Sequence, residues 1–187
     1  FFNYYFSYND DILLKKKFNL NKILPIGSIH TKNYHKVNVS KDFYDLDYKY
    51  KILVVDQNLN HNFYKSSRSW GNNINSSKKF YKSIITLSEQ FQDCLFIMRS
   101  KDNYKLNNNI LKISDKKNIL LNDNKSFNPY ENIKSVDIIL GIHSSLLDDA
   151  FFWKKPIIIC DYNMIHYNIK NFGNELYAFN KDQLIAK

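Results

Sequence analysis

Three short polar groups each stand directly behind an apolar, β-branched run: Asp56-Gln57-Asn58, Arg99-Ser100-Lys101 and His143-Ser144-Ser145. A guanidinium, an ammonium and paired hydroxyls at a helix start are a set of groups that suits a diphosphate. Arginine forks onto phosphate oxygens, and helix N-termini attract anions. Asp149 lies one helical turn beyond Ser145, so its carboxylate stays near the same mouth and suits a pair of sugar hydroxyls. Histidine is the side chain whose charge changes near neutral pH, and His143 either works directly on a substrate or bonds the backbone; both readings stay open. Plainer roles exist for each residue taken alone. Ser144 and Ser145 can cap a helix, worth ~1 kcal/mol, Asp148 and Asp149 can complement its dipole, and Arg99 and Lys101 can be solvated charges. What favours chemistry is that the groups share one position, after the ends of strands.

The elements that must place them follow from the pattern of apolar residues. The stretch from Val136 to Asp161 carries two runs, Val136–Leu140 and Pro156–Cys160, each short and apolar on both faces, as in a parallel sheet covered on two sides. Between them Ser144 or Ser145 opens a short helix whose sheet-facing side is Leu146, Leu147, Ala150, Phe151 and Trp153. Lys154 and Lys155 complement its C-terminus, and Pro156 stops it. Strand, helix, strand is a βαβ unit. Upstream, Lys51–Val55 and Cys94–Met98 read as central strands flanking a helix from Asn75 to about Gln92, with Phe80, Tyr81, Ile84, Ile85, Leu87 and Phe91 at near-helical spacing. Ile110–Ile113 and Ile119–Leu121 read as short strands, and Pro129 begins a short helix. Leu176–Phe179 is a last strand and Asp182–Lys187 a terminal helix. Before this series lie a helix at Asp10–Asn19, a short strand at Ile23–Ile26 and a polar connection from Ile29 to Lys49. The predicted fold is therefore α/β: an open parallel Rossmann-like sheet with helices on both faces. In such a sheet ligands bind outside the carboxyl ends of the strands.

Composition narrows the classes. The chain has 187 residues, 44% of them hydrophobic and 16% aromatic, which fits a globular core and not a disordered segment. No apolar run approaches the ~20 residues of a membrane helix. Lys and Arg number 27 against 18 Asp and Glu, a formal charge of +9 that suits phosphorylated ligands or an anionic membrane surface. That charge is spread along the chain, and the many Tyr and Phe have no recognition-motif order, so no nucleic-acid partner is expected. Cys94 and Cys160 fall inside strand runs and are expected to be buried thiols of a reducing compartment, without metal spacing. No metal, Walker loop, nucleophile elbow or dinucleotide fingerprint is expected.

SSLLDDAFFWKKPIIICD resembles the signature of GT-B glycosyltransferases and glycerophosphate polymer transferases. There a Ser pair or small residues open a helix, an acid stands seven residues before Pro, and a Lys-Pro pair leads into a strand. The spacing to Pro156 selects Asp149. FIMRSKD is similar to the strand that brings basic residues to the donor phosphates, and KILPIGSIH followed by KILVVDQN resembles the crossover into the C-terminal nucleotide-binding half. The resemblance runs from about Ile23 to Asp161. It implies a GT-B C-terminal domain at 50–187, with 1–49 a linker and remnant of a missing N-terminal domain. It implies that Arg99, Lys101, Ser144 and Ser145 hold the donor phosphates, and that Asp149, with Gln57 and Asn58, meets ribose or sugar hydroxyls. His143 is then the candidate catalytic group. The implied activity is transfer of a sugar or polyol phosphate from a nucleotide-activated donor to a carbohydrate or lipid-linked acceptor in bacterial-type surface polysaccharide biosynthesis. No cofactor is expected, the donor being substrate, and the expected location is the cytoplasm or the inner face of the membrane. The chain departs from the pattern in lacking a Gly-rich loop after Val55 and in carrying Asp where sugar-nucleotide enzymes usually have Glu. A sugar-nucleotide epimerase on the same fold and a noncatalytic nucleotide- or polyanion-binding module are the alternatives.

Overall fold

The computed structural model describes residues 4–7, 22–25, 36–39, 46–56, 73–100, 116–122, 128–142, 144–162 and 173–187. The expected helix at Asp10–Asn19 and strand at Ile110–Ile113 lie outside them. Strand β1 (Tyr4–Ser7) pairs in parallel with β2 (Lys22–Pro25), one residue earlier than the expected run at Ile23–Ile26. The aromatic β1 carried no recognisable alternation, and its pairing is new information from the structure.

The main sheet is built from β3 (Tyr50–Asp56), β4 (Cys94–Ser100), β5 (Ile119–Asn122), β6 (Ile138–Gly141), β7 (Ile157–Cys160) and β8 (Tyr177–Ala178). Helices α1 (Asn73–Gln90), α2 (Pro129–Ser135), α3 (Ser145–Phe152) and α4 (Lys181–Ala186) follow β3, β5, β6 and β8. All pairings are parallel, in the order β5-β4-β3-β6-β7-β8. Counted from β3 this is the 3-2-1-4-5-6 order of dinucleotide-binding sheets, and the direction of winding reverses between β3 and β6. The fold is an open parallel Rossmann-like sheet with helices on both faces.

Alternate residues of each strand feed two separate cores, as the double-sided apolar runs require. Ile52, Val54, Phe96, Met98 and Leu140 pack with Phe80, Ile84 and Leu87 of α1 and Leu184 of α4. Leu53, Val55, Leu95, Ile97 and Ile139 pack on the other face with Ile133 of α2 and Leu147, Ala150 and Trp153 of α3. Cys94 and Cys160 are buried within the first core, and burial raises both thiols, Cys94 to about 11. Phe151 departs from the expected sheet-facing set and is 40% exposed. Leu146, Asp149, Ala150 and Trp153 recur at i, i+3, i+4 and i+7, and that phase turns residue 151 outward while carrying Asp149 inward. Phe91, expected on the inner face of α1, lies past the helix end and is also exposed.

Helix α3 ends in a Schellman motif. The Lys154 amide donates to the Phe151 carbonyl and the Lys155 amide to that of Ala150, with Lys154 left-handed at φ 58°. Glycine is the residue that this position favours, because a Cβ there crowds the following carbonyl. Lys154→Gly is therefore expected to raise stability by about 1 kcal/mol, seen as a higher urea midpoint. A lowered midpoint would show that the lysine stem contributes more than the backbone costs. The side chain of Lys155 does not serve its own helix. Its ammonium donates to the Lys134 and Val136 carbonyls at 3.2 and 2.7 Å, closing the C-terminus of α2, and burial lowers its pKa.

Candidate functional site

The sheet register sets the site. Arg99 of β4 pairs with Val55 of β3, and Val55 pairs on its other side with Gly141 of β6. The same row continues outward to Asn122 on one side and through Ile159 to Tyr177 on the other. Arg99 and Gly141 are thus two strand spacings apart, roughly 10 Å. Ser144 follows Gly141 by three residues and opens α3. Arg99 and the Ser144–Ser145 helix start consequently stand at one edge of the sheet, at the carboxyl ends of β4 and β6 on either side of β3.

The surroundings of these residues differ from a simple exposed rim. The ladder of β4 continues through Arg99 and Ser100, so Arg99 is a strand residue and not the first residue of a loop. By parity it shares the face of Leu95 and Ile97, beneath α2 and α3, and it is only 6% exposed. Ser144 is the N-cap of α3: its Oγ accepts from the Leu146 amide at 3.2 Å, and its carbonyl accepts from that of Leu147 at 3.0 Å. The cap bond uses the hydroxyl oxygen only, so the hydroxyl proton can still be donated outward. The capping role and a ligand role are therefore compatible. Asp149 is 6% exposed on the inner side of α3. Gln57, Asn58, Lys101 and His143 lie outside the described residues, as do the side chains of Asp56, Ser100 and Ser145.

Asp148, one residue before Asp149, is half-buried at the first turn of α3, and its carboxyl is raised to about 6 by burial, then by the Asp149 charge. The hydroxyl of Tyr177 is raised by burial and by Asp161 and Asp148 together. Asp148 and the buried Asp161 thus both act on Tyr177 of β8, a relation that the sequence reading did not pick out. Below about pH 4 Asp148 is protonated in folded and unfolded chain alike and the fold keeps its full stability. Part of that stability is lost as pH rises through about 6. Asp148→Asn is expected to flatten stability across this window and, allowing for solvent screening, to gain on the order of 1 kcal/mol at pH 7.5. Urea midpoints at pH 4.5 and 7.5 check this; equal pH slopes in variant and wild type would remove the burial argument.

Two further features adjoin the rim. The Asn122 amide donates to the Asn132 side-chain carbonyl at 3.0 Å, joining the end of β5 to α2. A cleft of about 420 Å³ lies by the start of α2, lined by Lys36, Val37, Asn38, Asn128, Tyr130 and Glu131. Its floor is tied in place by the Lys134 ammonium donating to the Val37 carbonyl at 2.7 Å. Among the described residues no cluster of three or more His, Cys, Asp or Glu is placed to hold a metal. None of their helices is long and apolar enough to cross a membrane.

No family model and no curated protein matches the chain. Solved structures do. A Listeria monocytogenes protein assigned as a UDP-N-acetylglucosamine 2-epimerase superposes with a TM-score of 0.56 at 11% identity, over 88% of this chain and 43% of that one. Staphylococcus aureus MnaA, solved with UDP, gives a TM-score of 0.49 at 14% identity, over 85% of this chain and 37% of its own. The likeness is one of fold, and the chain spans less than half the length of either protein.

Proposed function

We propose that this chain is the nucleotide-binding half of an enzyme acting on a nucleotide-activated sugar. The observation that carries the reading is the shared row Arg99–Val55–Gly141, which sets a guanidinium-bearing strand end and a serine-capped helix start on either side of the sheet's reversal point. In this reading the diphosphate lies across that row. Arg99 and Lys101 balance its charge, while Ser144, Ser145 and the start of α3 donate to its oxygens. Asp149, Gln57 and Asn58 take ribose or sugar hydroxyls, and His143 handles a proton. The reaction is transfer of the sugar or polyol phosphate to a carbohydrate or lipid-linked acceptor, with the leaving diphosphate stabilised by fixed charges and dipoles. A net charge of +9 favours a seat on an anionic membrane, where such an acceptor would be met.

Epimerisation of the sugar is the second reading. It is favoured by the likeness to the Listeria protein and by Asp148, whose raised carboxyl beside Asp149 suits proton exchange near neutral pH. Both readings require nucleoside diphosphate binding. UDP, CDP or GDP is expected to raise the melting temperature of the chain, and Arg99→Ala or Asp149→Ala to remove the rise. Protection by long oligonucleotides and by none of the three nucleotides would replace both readings with a polyanion-binding module. Nuclear magnetic resonance of a bound nucleotide sugar separates the two reactions: an epimer with its nucleotide intact supports epimerisation, and free nucleotide formed with an acceptor supports transfer.

A further inference from the structure

Several of the described lysines have a task within the fold. Lys49 lies over the Tyr50 ring, Lys116 pairs with Glu89, Lys134 and Lys155 donate to backbone carbonyls, and Lys187 donates to the Glu175 carbonyl. Lys78, Lys79 and Lys82 have none. All three are exposed on α1, and no hydrogen bond or ion pair holds their ammonium groups among the described residues. They fall at i, i+1 and i+4, so about 6 Å of helix brings three cations to one side. Like charges at these spacings repel, and the arrangement weakens the helix that carries it. No acid on α1 offsets it: Glu89 is paired with Lys116, and the sequence has no Asp or Glu anywhere from Gln57 to Ser88. The level of this face is fixed by Tyr162, two residues past β7. Its hydroxyl donates to Ser83 Oγ at 2.8 Å, and Ser83 donates to the Lys79 carbonyl at 2.9 Å. Lys79 and Lys82 thus flank the point where α1 meets the carboxyl edge of the sheet, the edge at which the candidate ligand site stands. Burial, and behind it the charges of Cys160 and Asp182, raise the Tyr162 hydroxyl, so one acid of α4 reaches this level too, with Lys181 beside it in sequence as an offset.

We propose that the Lys78, Lys79 and Lys82 face of α1 is a docking surface for an anionic lipid bilayer, which turns the carboxyl edge of the sheet toward the headgroups. The residue types select this partner. Lysine is a point charge that does not fork onto one phosphate as arginine does, so three in a row suit a plane of headgroups better than a single small anion. Phe80 and Tyr81, interleaved with the lysines, are buried and cannot stack on bases, which disfavours a nucleic acid. The inference deepens the transfer reading given above, whose lipid-linked acceptor is met at that plane. Docking itself does not depend on the diphosphate site.

Sedimentation with vesicles tests it, using phosphatidylcholine alone and phosphatidylcholine mixed equally with phosphatidylglycerol. The protein is expected to bind the mixed vesicles only, and added salt to release it. Lys78→Gln/Lys79→Gln/Lys82→Gln should weaken that binding at least about tenfold. The same variant should melt at or above wild type, since the repulsion along α1 is gone. Lys36→Gln/Lys117→Gln/Lys154→Gln removes the same charge from scattered exposed positions and should leave binding within about threefold of wild type. Equal losses in the two triple variants would assign binding to net charge alone and overturn the inference. Equal binding to both kinds of vesicle, or binding to neither, overturns it as well. So does an α1 variant that keeps vesicle binding but loses binding of a long oligonucleotide, which would make the partner a nucleic acid. Nucleoside diphosphate binding, measured without lipid, should be unchanged in the α1 variant. Its absence from the wild type would remove the site reading and leave the docking surface to stand on the vesicle data.

Discussion

Phe96→Ala is expected to cost about 3–5 kcal/mol, the usual range for removing a fully buried phenyl group. Phe96 sits in the middle of β4 with no exposed surface, registered between Ile52 of β3 and Ile119 of β5. Its ring belongs to the core beneath α1, which also holds Phe80, Ile84 and Met98. Neighbouring β-strands cannot collapse inward to fill the hole without breaking their ladders, so most of the cavity should persist. Against a total stability of ~5–15 kcal/mol for a domain of this kind, the variant should be poorly folded at 37 °C. Phe151→Ala is the control. That ring is 40% exposed on the outer side of α3 and touches Phe152 edge-on, so its loss should fall near the ±0.5 kcal/mol usual at surfaces. Urea denaturation of both variants decides the matter, and comparable losses would contradict the two-core packing.

The contrast between these two phenylalanines shows what the amino-acid pattern could and could not convey. Strands buried on both faces are nearly continuous β-branched runs, so Lys51–Val55, Cys94–Met98 and Pro156–Cys160 were legible to within a residue or two. Their parallel arrangement was legible too, because strands alternating with helices leave few other topologies, whereas their order across the sheet was not read from the sequence. The rotational phase of a two-turn helix was not. Over Leu146–Trp153 an apolar residue at 151 fits the pattern nearly as well as one at 149, and only the sheet beneath decides which faces inward. Arg99 illustrates the same limit. A basic residue behind an apolar run looks like the first residue of a loop, but pairing with Val55 and Asn122 extends the ladder past it and buries it. Asn122 had a signal of the same kind, a polar residue closing the run Ile119–Leu121, though nothing in the sequence joined it to Asn132. The left-handed Lys154 was hidden because lysine is not the residue such a turn prefers. What the sequence reading did supply was that Arg99 closes one apolar run and that Ser144 follows another; the register row through Val55 relates the end of β4 to the end of β6.

Gly141→Val links that packing to the site. Gly141 closes β6 at the reversal point, and a Cβ built on it would lie 3.0 Å from Leu147 Cδ1 and 3.5 Å from its Cδ2 and Cγ. Leu147 is 2% exposed, wedged between α3 and the sheet, so its isobutyl group has little room to retreat. Alanine asks the leucine to give by a few tenths of an ångström. Valine adds two further methyl groups in the same gap and must push the first turn of α3 off the sheet, at a cost of roughly 1–3 kcal/mol. The displaced turn is the one that Ser144 caps, so the effect on ligand recognition should exceed the effect on stability. Gly141→Ala is expected to retain binding of whichever nucleoside diphosphate the wild type recognises, and Gly141→Val to lose it at least tenfold while the domain stays folded at 20 °C. Pairing Gly141→Val with Leu147→Ala supplies the missing space and should restore a large part of the affinity, a coupling that two independent sites would not show. Absence of rescue in that pair, with both single variants folded, would mean that the close approach of β6 and α3 is not what places the helix start at the rim.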